Sequence, residues 1–382
     1  MKVGVLKERM SHEKRVAVSP DTVKSLVSLG FDVFIETNAG ILAGINDQHY
    51  KEAGAKITKN IADTVDDADI ILKVQPSPKT TSKKENETTL LKKGALVIGM
   101  LSPHNNTELF EEYTKKNITS FSLELLPRIT RAQSMDVLSS QSNLSGYRAV
   151  IDAAYEYGKV FPMMMTAAGT ASPARVLVIG AGVAGLQAVA TAKRLGAIVS
   201  VFDVRTAAKE QVESLGAAFI EVKTESQQNL ETKGGYAQEA SAEYKKKQAD
   251  LIAETIKKQN IVITTALIPG KEAPKLINAE MVKSMSWGSI IVDLAAVNGG
   301  NCALTVPNEI TEHNGVKIIG YTNYPSRIPS DASKLYARNL LNFITLLYNK
   351  EEKKINLNFD DEIINSCIIT HDSKVINKAI LK

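Results

Sequence analysis

Cysteine is nearly absent from this sequence: Cys302 and Cys367 are the only two in 382 residues. Two cannot build a disulfide framework, and they do not have the paired spacing of a zinc site. Histidine is as sparse. His12, His49, His104, His313 and His371 stand singly, so no metal is expected. Such a chain suits a reducing cytoplasm. Long apolar runs are missing too. The longest, Val176 to Ala192, is broken by three glycines and Gln187 and falls short of the ~20 residues a bilayer span needs. The stretch before Lys7-Glu8-Arg9 is too short for a secretion signal, so neither a targeting segment nor a direct membrane span is expected. Nor is there a strong charge of one sign. The net charge is +4, and the lysines lie in small patches (Lys83-Lys84, Lys245 to Lys247, Lys353-Lys354) without interleaved aromatics, which excludes a nucleic-acid footprint. The length exceeds one hydrophobic core and predicts two domains.

What the sequence does have is concentrated at Arg175-Val-Leu-Val-Ile-Gly-Ala-Gly-Val-Ala-Gly-Leu186. The run Val176 to Ile179 reads as a buried parallel strand, and Leu186 to Leu195 continues at helical spacing. Between them lies Gly180-x-Gly182-x-x-Gly185, with Val183 and Ala184 inside it. Gly180 permits the tight turn, Gly182 lets the backbone approach a pyrophosphate, and Gly185 lets helix and strand pack closely. Unpaired N–H groups at the helix start, with the positive end of its dipole, then suit a diphosphate. A second strand, Ile198 to Asp203, ends on a carboxylate 18 residues past Gly185. That carboxylate can take both ribose hydroxyls of an adenosine and would repel a 2′-phosphate, so the pattern predicts NAD over NADP. Val204 and Arg205 follow. Arg205 could attract the phosphate, but Asp203 stands where the 2′-oxygen would be.

The first 125 residues alternate strand and helix. Strands are expected at Val3 to Leu6, Phe31 to Ile35, Ile70 to Val74, Ala95 to Leu101 and Ile118 to Leu123. Helices such as Asp21 to Leu29 and Asn105 to Lys116 lie between them. This predicts a parallel sheet covered on both faces, here without a glycine fingerprint. A helix from Val137 to about Val160, small or polar at Ser139, Ser140, Ser142 and Gly146, suits a connector packed closely on another element. Strands resume near Val176, Ile198, Phe219, Ile261, Ser289 and Val316, the six of a dinucleotide-binding domain. A last long helix, Ala332 to Leu347, returns the chain to its first half. The predicted fold class is α/β, with two Rossmann-like, doubly wound parallel-sheet domains. Residues 1–137 plus 325–382 form one; residues 138–324 form the other, inserted in the first, with a ligand cleft between them.

Four further segments carry a family likeness: Pro127-Arg128-Ile129-Thr130-Arg131-Ala-Gln133-Ser-Met-Asp136, Gly234-Gly235-Tyr236, Thr264-Thr265-Ala266-Leu267-Ile-Pro-Gly270 and Asn298-Gly299-Gly300-Asn301. Together they resemble, over nearly the whole chain, the NAD(H)-binding components of the proton-translocating NAD(P) transhydrogenases. The resemblance implies Si/Re-specific hydride transfer between NAD(H) bound here and NADP(H) on a partner, the β subunit. It implies an α subunit split into two polypeptides, of which this chain is the first. The second spans the membrane, and hydride transfer is coupled to proton movement through it. The resemblance also implies a homodimer, peripheral on the cytoplasmic face of the bacterial inner membrane, with Pro162-Met-Met-Met-Thr166 as the dimer contact rather than core filling. The implied nicotinamide site is a loop of Arg128, Ile129, Thr130, Arg131, Gln133 and Asp136, with Ser139 beside it, in which Arg128, Gln133 and Asp136 carry the catalytic role. Physically, Arg128 and Asp136 can pair, while Gln133 offers both a donor and an acceptor. Gly235 and Tyr236 would belong to a mobile loop closing over the cofactor, an ordinary surface tyrosine being the alternative. Ala266 and Leu267 would line the nicotinamide-ribose pocket, with Gln248 close to it.

Alanine dehydrogenase is a second resemblance and implies different chemistry. Lys7-Glu8, Arg15-Val-Ala-Val-Ser-Pro20 and Lys73 match its N-terminal pattern, in which the arginine and lysine hold a substrate carboxylate. Oxidising an amine also needs a base for the departing proton. The dehydrogenase's histidine and aspartate fall at Met100 and Val297 here, and His104 lies four residues late. Exchange between two nicotinamides involves no substrate proton, so transhydrogenation is the expected activity, with Arg15 and Lys73 pairing to local carboxylates. A non-catalytic NAD-sensing module would not need the Arg128, Gln133 and Asp136 loop.

Overall fold

The computed structural model describes residues 1–78, 86–222, 241–268 and 270–377. The chain divides into two compact units, Met1–Gln141 with Ser326–Lys382, and Ser142–Pro325 inserted between them.

In the first unit the strands are β1 (Lys2–Val5), β2 (Asp32–Glu36), β3 (Lys56–Thr58), β4 (Ile70–Leu72), β5 (Leu96–Gly99) and β6 (Thr119–Ser122). They pair in parallel in the order β3-β2-β1-β4-β5-β6. All residues of β4, β5 and β6 are buried, as expected of strands covered on both faces. The helix Pro20–Ser28 starts at a capping box between Ser19 and Thr22, with proline in its first turn. The returning helix, Pro329–Leu347, lays Tyr336, Leu340, Phe343 and Leu347 into the core at helical spacing. Three short strands here go beyond the sequence reading. One is β3; the others are C-terminal, Ile368–His371 antiparallel to β6 and Lys374–Val375 paired with it.

The second unit follows the helix Val137–Glu156, which stops four residues short of the expected Val160. A hairpin of β7 (Met164–Thr166) and β8 (Gly169–Ala171) comes next. The sheet is then built from β9 (Arg175–Ile179), β10 (Ile198–Phe202), β11 (Ala218–Ile220), β12 (Ile261–Thr264), β13 (Ile290–Asp293), β14 (Ile310–His313) and β15 (Val316–Ile319), in the order β11-β10-β9-β12-β13-β15-β14. The six expected strands are present and parallel; β14 is an additional antiparallel edge. It pairs with β15 through Asn314 and Gly315, at φ 50° and 74°, the left-handed pair of a two-residue hairpin turn. Strand order reverses between β9 and β12, and the crevice at such a switch point is where open α/β sheets take ligands. Among the described residues no helix is long and apolar enough to cross a membrane, and no group of three or more His, Cys, Asp or Glu could hold a metal ion.

Candidate functional site

Strand β9 delivers the glycine turn to the switch point. Gly180 takes φ 107°, and a Cβ on Gly185 would lie 1.8 Å from the Gly180 carbonyl oxygen, so only glycine lets the helix Val183–Arg194 start this close to its strand. Gly182 differs. A Cβ there would meet nothing within 4 Å, and no side chain caps the helix that begins after it. The first-turn N–H groups near Val183 and Ala184 therefore face a cradle that protein atoms leave open, which fits a diphosphate. The connector helix backs this turn: a Cβ on Gly146 would sit 2.0 Å from the Ala184 carbonyl oxygen. From the neighbouring strand, Thr265 Oγ1 donates to the Gly180 carbonyl (3.1 Å), tying the end of β12 to the same turn.

Asp203, at the tip of β10, is buried. Its Oδ2 accepts the Ala181 N–H (2.6 Å) and Arg205 Nη2 (2.8 Å); Oδ1 accepts the Arg205 N–H (2.8 Å) and Nε (2.9 Å). The carboxylate is thus joined to the glycine turn, and all of its ~4 lone-pair positions are engaged. Arg205, which might have met a 2′-phosphate, lies folded onto Asp203. Val204 is half-buried beside them. Ala266 is half-buried and Leu267 exposed just beyond β12, while Gln248 is half-buried on the helix Ala242–Ile256. Gly235 and Tyr236 lie outside the described residues.

The second group of expected site residues lies in the first unit. Thr130–Met135 is a short 3₁₀ helix anchored by buried Ala132 and Met135, which leaves Arg128, Thr130, Arg131 and Gln133 exposed and Ile129 half-buried. The returning helix pins it, since Asn339 and Asn342 each donate a side-chain N–H to the Ser134 carbonyl (2.9 Å each). Arg131 makes a two-pronged pair with Asp361 (2.7 Å each). Asp136 turns to Ser139, accepting its N–H (2.9 Å) and its hydroxyl, and so caps the long helix. The sequence alone suggests no role for Asn339, Asn342 or Asp361, because their partners are more than 200 residues away along the chain.

Arg15 and Lys73 are buried in the same unit. Both oxygens of Glu13 accept from Arg15 (2.8 and 2.7 Å), and Gln141 Oε1 accepts from its Nη1 (2.8 Å). Lys73 meets Glu87 at 2.8 Å and Glu8 at 3.6 Å. Burial alone would pull the Lys73 ammonium down, but Glu8 and Glu87 outweigh it and hold it above the usual lysine range. Glu8 goes the other way. Burial, with Glu87 and Glu13 nearby, outweighs Lys73 and the Val74 N–H and pushes it up to about 7. Met100 is half-buried, its N–H donating to the Tyr336 hydroxyl (3.1 Å), and Val297 is exposed.

Residues 4–145 match the family described as alanine dehydrogenase/PNT, N-terminal domain, and residues 149–378 the alanine dehydrogenase/PNT, C-terminal domain. In Rhodospirillum rubrum, the first polypeptide of the split NAD(P) transhydrogenase subunit alpha is 52% identical over 380 residues, covering 100% of this chain and 99% of that protein. Among solved structures, the transhydrogenase of Sinorhizobium meliloti superposes with a TM-score of 0.87 at 48% identity, over 98% of this chain and 100% of that one. An L-alanine dehydrogenase superposes with a TM-score of 0.82 at 25% identity, over 100% of this chain and 98% of that one.

Proposed function

The chain belongs to the alanine dehydrogenase/PNT family, and from that premise we propose that it is the NAD(H)-binding component of a proton-translocating transhydrogenase. It exchanges hydride between NADH bound here and NADP+ held on a β-type partner subunit, and a membrane-spanning partner couples the exchange to proton movement. The observation that carries this reading over an amino-acid dehydrogenase is the chemistry at Met100 and Val297. Neither side chain can accept a proton, so nothing stands ready for the proton that amine oxidation releases. The buried cations point the same way, because Arg15 and Lys73 are engaged by Glu13 and Glu87.

Bound NADH would supply the hydride. The chain's residues bind and orient. N–H groups at the start of the helix Val183–Arg194 hold the diphosphate over open Gly182. Asp203 takes the adenosine ribose once Arg205 swings aside. Ala266 and Leu267 line the nicotinamide ribose, with Gln248 near them, and Gln133, held on the pinned loop with Arg128 and Asp136, orients the carboxamide. With no proton to move, rate depends on distance and alignment of the two rings.

The hairpin of β7 and β8 supports a homodimer. All six of its strand residues are exposed, with Met163 at 62% and Met165 at 75%. A lone two-stranded hairpin is marginal in water, and a second copy of the chain covering it supplies the missing burial. Size-exclusion chromatography at micromolar concentration should give a dimer; a monomer there removes this assignment. Through its partners the chain sits on the cytoplasmic face of the bacterial inner membrane. The decisive experiment mixes the chain with an NADP-loaded partner component and follows hydride exchange between NADH and an NADP analogue. Appreciable pyruvate-plus-ammonia turnover by the chain alone would establish the dehydrogenase instead.

A further inference from the structure

The segment Ala266–Leu267 leaves β12 without regular structure of its own, yet one buried side chain fixes it from both sides. Asn301 is fully buried. Its Oδ1 accepts the Ala266 N–H (3.0 Å), and its Nδ2 donates to the Ala266 carbonyl (2.9 Å) and to the Pro274 carbonyl (2.9 Å). The amide thus imitates one rung of a β-ladder across the end of β12. Its own backbone carbonyl takes the N–H groups of Leu276 (2.8 Å) and Ile277 (3.0 Å), so the residue cannot drift. The turn that delivers it is Gly299-Gly300, at φ 92° and 84°. Asp293 at the tip of β13 clamps that turn, accepting from Cys302 N–H (3.0 Å) and Thr305 Oγ1 (2.6 Å), and reaches back to Thr264 Oγ1 (3.0 Å).

We propose that Asn301 is the positioning residue that sets the place of Ala266 and Leu267 and thereby the contribution of the nicotinamide end to cofactor binding. The proposal rests on the reading of those two residues as the nicotinamide-ribose pocket. Both hydrogen-bonding groups of the Ala266 peptide are consumed by Asn301, so what this segment turns to a ligand is a methyl group and the Leu267 side chain. A polar, hydrated wall becomes an apolar one of fixed height. Serine is too short to reach the N–H and the carbonyl of Ala266 together, and the freed segment would hydrate and shift.

The test compares NADH with ADP-ribose, which lacks the nicotinamide end, by calorimetric titration of the full chain. Asn301→Ser should leave ADP-ribose affinity within about twofold while lowering the NADH-to-ADP-ribose affinity ratio about tenfold. Gln259→Ala, which removes another buried amide of the same unit, should keep the wild-type ratio. An unchanged ratio in Asn301→Ser, equal losses for both ligands, or the same selective loss in Gln259→Ala overturns the proposal. Should Asn301→Ser fail to fold, Asn301→Asp keeps the shape, and its neutral acid restores a donor. Its ratio should then recover as pH falls, and a flat profile overturns the proposal equally. A wild-type chain that binds NADH no more tightly than ADP-ribose removes the pocket reading itself, and the proposal with it.

Discussion

Asp203→Ala removes the acceptor on which four donors converge, from Ala181 and Arg205. In the NADH complex two of those places pass from the Arg205 guanidinium to the ribose hydroxyls. Two hydrogen bonds to a charged acceptor are worth roughly 3 kcal/mol together at the low end of their range. Displacing a part-exposed guanidinium pair costs about 1 kcal/mol. The net loss for NADH is therefore about 2 kcal/mol, a roughly 30-fold weaker affinity. For NADPH the sign reverses. A phosphate charge ~5 Å from the carboxylate is repelled by about 3 kcal/mol per unit charge at an effective dielectric of 20, and the variant also frees Arg205 to meet it. Part of that repulsion is already offset by the arginine, so a gain of about tenfold for NADPH is the conservative expectation. Equilibrium fluorescence titration of the two reduced nucleotides on the chain alone measures both. The reasoning fails if both affinities are unchanged, or if both fall equally. Arg205→Ala isolates the displacement step and should tighten NADH by roughly threefold.

The glycine turn makes two opposite predictions. Gly185→Ala forces a Cβ to within 1.8 Å of a backbone oxygen and should destabilise the fold by about 3 kcal/mol or more, read as a lowered Tm; Gly182→Ala meets no protein atom, so it should leave Tm nearly unchanged yet weaken NADH binding. Gln133→Asn should slow hydride exchange in the reconstituted complex while NAD affinity stays nearly intact, and a normal rate would take Gln133 out of the mechanism. The Glu8 carboxyl, pushed up to about 7, binds its proton more tightly folded than unfolded. Its contribution to stability is thus present in full below about pH 4.5 and is lost as pH rises to about 7, on the order of 3 kcal/mol across that window. Denaturant titrations at several pH values should show this slope in the wild type and lose it in Glu8→Gln.

The regions of the molecule legible from sequence are those whose cause is local. Val176 to Ile179 is a strand because its apolar run is buried on both faces, and the turn after it follows from glycine alone. Asp136 as a helix cap is also within reach, standing three residues before Ser139. The Asn314-Gly315 pair is a hairpin signal too, but it is masked, because β14 reads as the half-polar Ile-Thr-Glu-His rather than as an apolar strand. What cannot be read depends on contacts between distant residues. Family likeness assigns Arg131 to the cofactor, yet its guanidinium is taken by Asp361, 230 residues on. Asn301 closes the Asn298 to Asn301 motif without an evident role in sequence, since its partner is the backbone of Ala266, 35 residues earlier.

Arg15 and Lys73 make the sharpest separation between likeness and chemistry. A buried cation without a partner is too costly to keep, and removing one member of a buried pair typically costs about 3–5 kcal/mol. In this chain each cation has its carboxylate built in, from Glu13 and from Glu87, with Glu8 held near the point of protonation so that the cluster does not gather excess negative charge. An incoming substrate carboxylate would have to displace an internal one that is already oriented and dry, and would lose its own hydration to do so. The same cluster that would anchor an amino acid if its cations were open is therefore stable as it stands, and its stability needs no ligand. Since the places where proton transfer would occur carry a thioether and an isopropyl group, the two departures reinforce one another. A site that neither holds a carboxylate nor takes a proton can still deliver hydride to another nicotinamide, and that is the one partner reaction of the family these residues leave open.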